Sequence, residues 1–373
     1  MLKHARHIAP ILFENRLTEL TYFTTDICNM KCRHCFVHDA LNRKQPHLTV
    51  DEFARMAAFV PAMQRIHLGG GEPFARKDIA DVAVCASNDW KAGIVCVPTN
   101  GWFTDKIISF MHHFGARGKG PLRLHFSINS PDPEEMDNFT QLKGSFARWR
   151  HSIAEALALS PKYPNITVVA LATFNEYNQH VFKELIDYLH DEVRVDDFSF
   201  QIARTHDGYA PALNLDLFRE ANRYYFAKWN RQHPILAAFR EETRSNSADY
   251  FSDPRFQRRC TSGKIRVVMS PNGDIYPCEK LGYPNLAGMA SVFMGNIRDF
   301  DYDIRPLLAS ARAQQIYRQI VESQCHCDHN IDQSLRLLTN AKFRNDVFKR
   351  AARTLVSPRG IAGTAVEARA SGT

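Results

Sequence analysis

The 373-residue sequence predicts an α/β fold, a partial barrel of six parallel βα units followed by a smaller cysteine-bearing unit. Three observations carry this expectation. Strand-like and helix-like segments alternate from about residue 17 to about residue 230. Every chemically suggestive motif in that stretch follows a strand, where parallel βα folds keep their functional loops. After residue 230 the alternation stops, and two separated pairs of cysteines appear around an Asn-Gly turn.

Leu17 to Thr25 reads as the first strand, and Thr49 to Phe59 as a helix with Thr49 as N-cap and Glu52 completing a capping box. Ile66 to Leu68 is the second strand and Asp78 to Asn88 the next helix. Gly93 to Pro98 and Thr104 to Phe114 form the third unit, Leu122 to Ile128 and Gly144 to Leu159 the fourth. Ile166 to Ala172 and Asp197 to Ala203 are the fifth and sixth strands, separated by the helix His180 to Leu189. The fourth strand alternates, with Leu122, Leu124, Phe126 and Ile128 on one face and Arg123, His125, Ser127 and Asn129 on the other. In a barrel jacketed by helices the polar row faces the lumen. Beyond the barrel, His233 to Gln257 reads as a connecting helix and loop, Ile265 to Ser270 and Ile275 to Cys278 as a hairpin, and Leu307 to Val321 as a helix.

Two motifs carry chemistry. Cys28, Cys32 and Cys35 sit close together in sequence, and thiolates so spaced can hold three corners of an iron-sulfur cluster while leaving one iron open. A zinc site built from these thiols with His34 or His38 is the alternative. Some forty residues on, Ile66-His67-Leu68-Gly69-Gly70-Gly71-Glu72-Pro73 ends a strand in glycines that permit close backbone approach and a carboxylate that can accept from an ammonium.

The C-x-x-x-C-x-x-C run, followed by Phe36 and joined to Gly70, Gly71 and Glu72, resembles the signature of the radical S-adenosylmethionine (radical SAM) superfamily. That resemblance implies a TIM-like partial (β/α)6 barrel. It also implies a [4Fe-4S] cluster on Cys28, Cys32 and Cys35, with S-adenosylmethionine chelating the open iron and yielding a 5′-deoxyadenosyl radical that abstracts a substrate hydrogen. Gly70, Gly71 and Glu72 match the segment that binds the amino group of S-adenosylmethionine, and the backbone around Phe36 would meet its adenine. Thr99 and Asn100 resemble a Thr-Asn-Gly segment near the methionyl moiety, although Asn-Gly is also an ordinary turn. Ser127 and Asn129 occupy the place of a Ser-x-Asp-Gly segment for the ribose or carboxylate, with the aspartate replaced by asparagine. Gly273 to Cys278, with Cys260 upstream, resembles the start of a SPASM or twitch extension. One auxiliary [4Fe-4S] cluster on Cys260, Cys278, Cys325 and Cys327 is therefore expected, with zinc as the alternative.

Other residues stay open. His125 reads as a satisfied core histidine or a proton-transfer group; Gln201 and Arg204 as contacts to a substrate carboxylate or phosphate, or as a rim ion pair. These three are the candidate catalytic residues, and Cys85 and Cys96 read as buried apolar side chains.

The net charge is 47 − 40 = +7, concentrated locally only at Arg255 to Arg259 and Lys342 to Arg353, so no nucleic-acid partner is expected. No apolar run approaches the ~20 residues of a membrane span, no secretory signal opens the chain, and a reducing cytoplasm is the default compartment. The expected organisation is an extension over 1–16, the barrel over 17–232, a linker over 233–259, the auxiliary unit over 260–330, a helix over 331–356 and a disordered tail over 357–373. The short extension tilts the expected substrate toward a small molecule in natural-product biosynthesis, with ribosomal-peptide maturation as the alternative. Flavodoxin or ferredoxin is the expected electron donor. A zinc-stapled, non-catalytic binding protein is the alternative of a different class.

Overall fold

The computed structural model describes residues 16–206, 209–229, 234–254, 260–285, 289–328 and 341–356. The expected N-terminal extension up to residue 15, the Arg255 to Arg259 cluster, residues 331–340 of the expected last helix and the expected tail lie outside them.

The described strands form one open sheet. They are β1 (Glu19–Phe23), β2 (Arg65–Gly69), β3 (Val95–Thr99), β4 (Leu122–Ser127), β5 (Ile166–Phe174), β6 (Asp197–Ile202), β7 (Arg266–Met269), β8 (Asp274–Tyr276) and β9 (Gly295–Asn296). Their order is β6-β5-β4-β3-β2-β1-β7-β8-β9. Pairing is parallel from β6 to β7 and antiparallel through β8 and β9. The expected partial barrel is therefore present, and the C-terminal hairpin continues its sheet by laying β7 alongside β1, with Leu20 opposite Val267.

The helices are α1 (Val50–Ala57), α2 (Ile79–Asn88), α3 (Thr104–Arg117), α4 (Pro133–Thr140), α5 (Ser145–Leu159), α6 (Phe182–Asp187), α7 (Leu215–Lys228), α8 (Pro234–Ser252), α9 (Ile304–Ala309), α10 (Ala311–Glu322) and α11 (Ala341–Val356). The β4 alternation holds: Leu122, Leu124 and Phe126 are fully buried, whereas Arg123, His125 and Ser127 are partly buried on the opposite face. Register places Thr21, His67, Cys96 and Arg123 side by side on that face across β1 to β4.

The capping box at α1 forms, with Thr49 N–H donating to Glu52 at 2.8 Å and Glu52 N–H to Thr49 Oγ1 at 3.2 Å. Glu52 also accepts from Arg298 Nε at 2.6 Å and Tyr302 Oη at 2.8 Å, tying the C-terminal unit to the first helix. Those contacts, the Arg298 guanidinium foremost, lower its carboxyl to about 2.

Beyond α7 and β9, which the sequence pattern did not single out, two elements differ from expectation. The single helix expected over 307–321 is two, because Ser310 adopts an extended backbone and caps α10 by accepting from Ala313 N–H at 3.2 Å. Helix α4 was not anticipated, although Asp132, Pro133, Glu134 and Glu135 form an N-terminal signature, and Asp132 accepts from Glu135 N–H at 2.9 Å. Among the described residues no helix is long and apolar enough to cross a membrane.

Candidate active site

Three loops meet beyond the carboxyl ends of β1, β2 and β3. The segment after β1 runs through Thr24 and Thr25 to the cysteines, and the glycine segment after β2 lies directly against it. Thr24 N–H donates to Gly69 O at 2.8 Å, Gly71 N–H to Thr25 O at 2.8 Å and Glu72 N–H to Ile27 O at 2.8 Å. This approach demands glycine. A Cβ on Gly70, whose φ is +134°, would lie 2.2 Å from Thr25 O, and one on Gly71 would lie 2.3 Å from Ile27 O.

The cysteine loop is pinned on both sides. Cys28 N–H donates to Asn42 Oδ1 at 3.1 Å, and Asn42 N–H returns to Asp26 O at 2.7 Å. On the other side Lys31 N–H donates to Thr140 O and Arg33 N–H to Phe139 O, both at 3.1 Å. Gln141 Nε2 reaches Lys31 O at 2.6 Å. The unanticipated α4 thus serves as the abutment of this loop. His34 stacks on its Phe139 with ring centroids 4.8 Å apart, and burial lowers the imidazole to about 4, which leaves it neutral.

Glu72 is the hub. Its side chain is buried, with Oε1 accepting from Phe74 N–H at 3.1 Å and Thr99 Oγ1 at 2.9 Å, and Oε2 from Asn100 N–H at 2.7 Å. Asn100 Nδ2 in turn donates to Asn29 Oδ1 at 2.8 Å, inside the cysteine run. The sequence-predicted Thr99, Asn100, Gly70, Gly71 and Glu72 therefore converge, and Asn29, which sequence reasoning missed, joins them to the cysteines. Burial outweighs these donors and raises the Glu72 carboxyl to about 7.

Cys28, Cys32 and Cys35 are partly buried thiols. Burial raises Cys28 to about 11 and Cys35 to about 12; Cys32 is pushed up by burial and then by Cys35 and Cys28. Such thiols ionise only against strong positive charge, which a ferric/ferrous cluster supplies. Among the described residues no group of three His, Cys, Asp or Glu side chains is arranged to hold a metal ion. In donor chemistry the three thiols match an iron-sulfur cluster, whose ligands are thiolates.

The remaining predicted residues divide. Ser127 is partly exposed at the end of β4, and Asn129 is buried with Oδ1 accepting from Thr173 N–H at 3.3 Å. His125 is lowered to about 3 by burial and then by Arg123, so it is a neutral lumen group. Gln201 is partly exposed on the same face at β6. Arg204 donates from Nη1 to Glu279 Oε2 at 3.1 Å, and its guanidinium lies 4.6 Å from the Phe36 ring centroid. Cys85 and Cys96 are buried, as expected.

Contacts invisible to motif reading hold the C-terminal cysteines near the barrel. Lys280 Nζ pairs with Asp328 Oδ1 at 2.9 Å, setting the Cys278 segment beside the Cys327 segment. Asp328 Oδ2 accepts from Thr205 N–H at 2.7 Å and Thr205 Oγ1 at 2.9 Å, just after β6. A Cβ on Gly263 would lie 3.2 Å from Pro277 Cβ, so the Cys260 segment lies against the same place. Cys260 and Cys278 are buried, Cys325 and Cys327 partly so.

Residues 22–189 match the Radical SAM superfamily. A GTP 3',8-cyclase of Desulforamulus reducens is 27% identical over 187 residues, 49% of this chain and 55% of that protein. One of Rhizobium meliloti is 31% identical over 170 residues, 44% of this chain and 47% of that protein. The chain thus spans about half the length of the curated relatives it matches. Among solved structures, Streptococcus suis SuiB bound to S-adenosylmethionine superposes with TM-score 0.57 at 18% identity, covering 83% of this chain and 72% of that one. Polyhistidine-tagged anSMEcpe with bound AdoMet gives TM-score 0.58 at 14% identity, covering 93% of this chain and 94% of that one. The two structures share the fold.

Proposed function

The chain belongs to the radical SAM superfamily, and on that footing we propose that it cleaves S-adenosylmethionine reductively and abstracts a hydrogen atom from a small-molecule substrate. It is an enzyme of the radical SAM class, which uses a [4Fe-4S] cluster and S-adenosylmethionine. The observation that carries the reading is the Asn29–Asn100–Glu72 network, which draws the loops after β1, β2 and β3 into one cradle. The family match weighs against the non-catalytic zinc alternative.

When bound, the cluster and S-adenosylmethionine supply an electron and a 5′-deoxyadenosyl radical. The chain's own residues bind and orient. Cys28, Cys32 and Cys35 hold the cluster; Glu72 accepts from the methionyl ammonium, with Thr99 and Asn100 fixing its carboxylate. Backbone at Phe36 meets the adenine, and Ser127 and Asn129 meet the ribose or carboxylate. Cys260, Cys278, Cys325 and Cys327 would hold an auxiliary cluster, which would supply an electron acceptor or a metal site for positioning the substrate. A small reductant such as flavodoxin or ferredoxin feeds the first cluster.

Anaerobic reconstitution tests this. About eight irons per chain are expected for two cubanes and about four for one. Reduction with S-adenosylmethionine present should release 5′-deoxyadenosine, carrying deuterium from a labelled substrate. A zinc-only protein without that release would end the reading. A peptide substrate is the second reading. The fold similarity to SuiB crystallised with its precursor peptide SuiA favours it, at TM-score 0.56 and 17% identity.

A further inference from the structure

We propose that the barrel lumen receives an anionic oxygen group of the substrate, a carboxylate or a phosphate, on the guanidinium of Arg204, with His67 as a second polar contact. This deepens the function proposed above and rests on it.

Arg204 follows β6 at the mouth of the barrel and is held in one place by two contacts of different kinds. Its Nη1 donates to Glu279 Oε2 at 3.1 Å, and its plane lies over Phe36, 4.6 Å from the ring centroid. Glu279 is itself anchored, since the same oxygen accepts from the fully buried Arg266 at 3.0 Å. A guanidinium carries five donors in a rigid fork, and these contacts use one edge and one face. Among the described residues Nε and Nη2 of Arg204 have no hydrogen-bond partner, although only 10% of the side chain is exposed. An arginine fixed in this way loses little freedom when a planar or tetrahedral oxyanion docks on its open edge.

His67 points to the same lumen. It lies on β2 in register with Thr21 and Cys96. Its Nε2 is buried without a hydrogen-bond partner. Burial, with Arg65 and Arg266 adding to it, keeps the imidazole neutral, and Glu279, the carboxylate that orients Arg204, is one of its charged neighbours. A buried ring nitrogen left unmatched is costly unless a ligand or water completes it. Glu279 thus bears on both residues: it accepts from Arg204 and acts electrostatically on His67, and each residue keeps a polar nitrogen without a partner among the described residues.

The test uses the reconstituted full-length chain at constant ionic strength, following the thermal midpoint during titration with inorganic phosphate, with acetate, and with glycerol as the neutral control. At least one anion should give a saturable rise and glycerol none; phosphate alone would assign a phosphoester substrate, acetate alone a carboxylate. Arg204→Gln should raise the half-saturating concentration at least tenfold, Arg204→Lys about threefold, and the exposed control Arg219→Gln not at all. If Arg204→Gln does not fold, Arg204→Lys decides. No saturable rise with either anion, or a variant that titrates like the unsubstituted chain, overturns the proposal. So does a tenfold loss of S-adenosylmethionine affinity in Arg204→Gln, which would place Arg204 in the cofactor's site. Failure to form 5′-deoxyadenosine would instead overturn the radical SAM function and leave the anion titration readable.

Discussion

Glu72 concentrates the chemistry of the proposed cofactor cradle in one carboxyl. Burial and three donors act on it in opposite directions, and burial wins, so the group titrates near 7 rather than near 4.5. Between those values the folded protein binds a proton that the unfolded chain has released. Stability of the ligand-free protein should therefore fall as pH rises through that window. Binding of the methionyl ammonium at Glu72, as proposed, would have the opposite dependence, because only the carboxylate can pair with it. S-adenosylmethionine affinity should rise up to about tenfold per pH unit below pH 7 and level off above it, measured by equilibrium binding between pH 5.5 and 8.5. Glu72→Gln should flatten that profile and weaken binding by roughly ten- to a hundredfold, the usual worth of a hydrogen bond to a charged group. A variant that kept both affinity and pH profile would remove Glu72 from the site.

At the scale of elements, the decisive event is the docking of the glycine segment after β2 on the segment after β1. Gly70→Ala and Gly71→Ala each place a methyl group within 2.3 Å of a carbonyl oxygen, which only backbone displacement can relieve. Each should cost about 2–4 kcal/mol in thermal or denaturant unfolding and reduce bound iron, because the displaced segment is the one that leads into Cys28. Unchanged unfolding and iron content would show that the two segments do not depend on each other. The cysteine run and the Gly-Gly-Glu segment were legible in the sequence because their chemistry is local: ligand type and spacing survive without knowledge of the fold. The β4 alternation and the Thr49–Glu52 box were legible for the same reason. Asn29 was not, since its partner Asn100 lies 71 residues away and meets it only through the register of β1, β2 and β3. Helix α4 had a readable start in Asp132 and Pro133, yet its role in holding the cysteine loop depends on where Thr140 ends up in space.

Across the whole molecule, the open sheet is bridged at its mouth by side chains rather than by strand pairing. Arg204 with Glu279, and Thr205 with Asp328 and Lys280, join the end of β6 to segments 75 and 123 residues later, a separation that no sequence pattern encodes. Asp328→Ala removes the carboxylate partner of Lys280, which keeps only Thr205, and the acceptor of Thr205, and loosens the cysteine segments on either side. The expected outcome is loss of about four of about eight irons per chain, with formation of 5′-deoxyadenosine retained. Loss of all iron would mean that the two thiol sets depend on a common support.

The pairing of β7 with β1 also orders events in time. Strand β1 is made early, yet its second neighbour begins at Arg266, so throughout synthesis of the barrel one edge of β1 stays uncovered. A chain released after Ser252 would keep the six barrel strands but present that edge permanently. It should aggregate where the full chain does not, a difference that sedimentation of the two expressed forms would reveal.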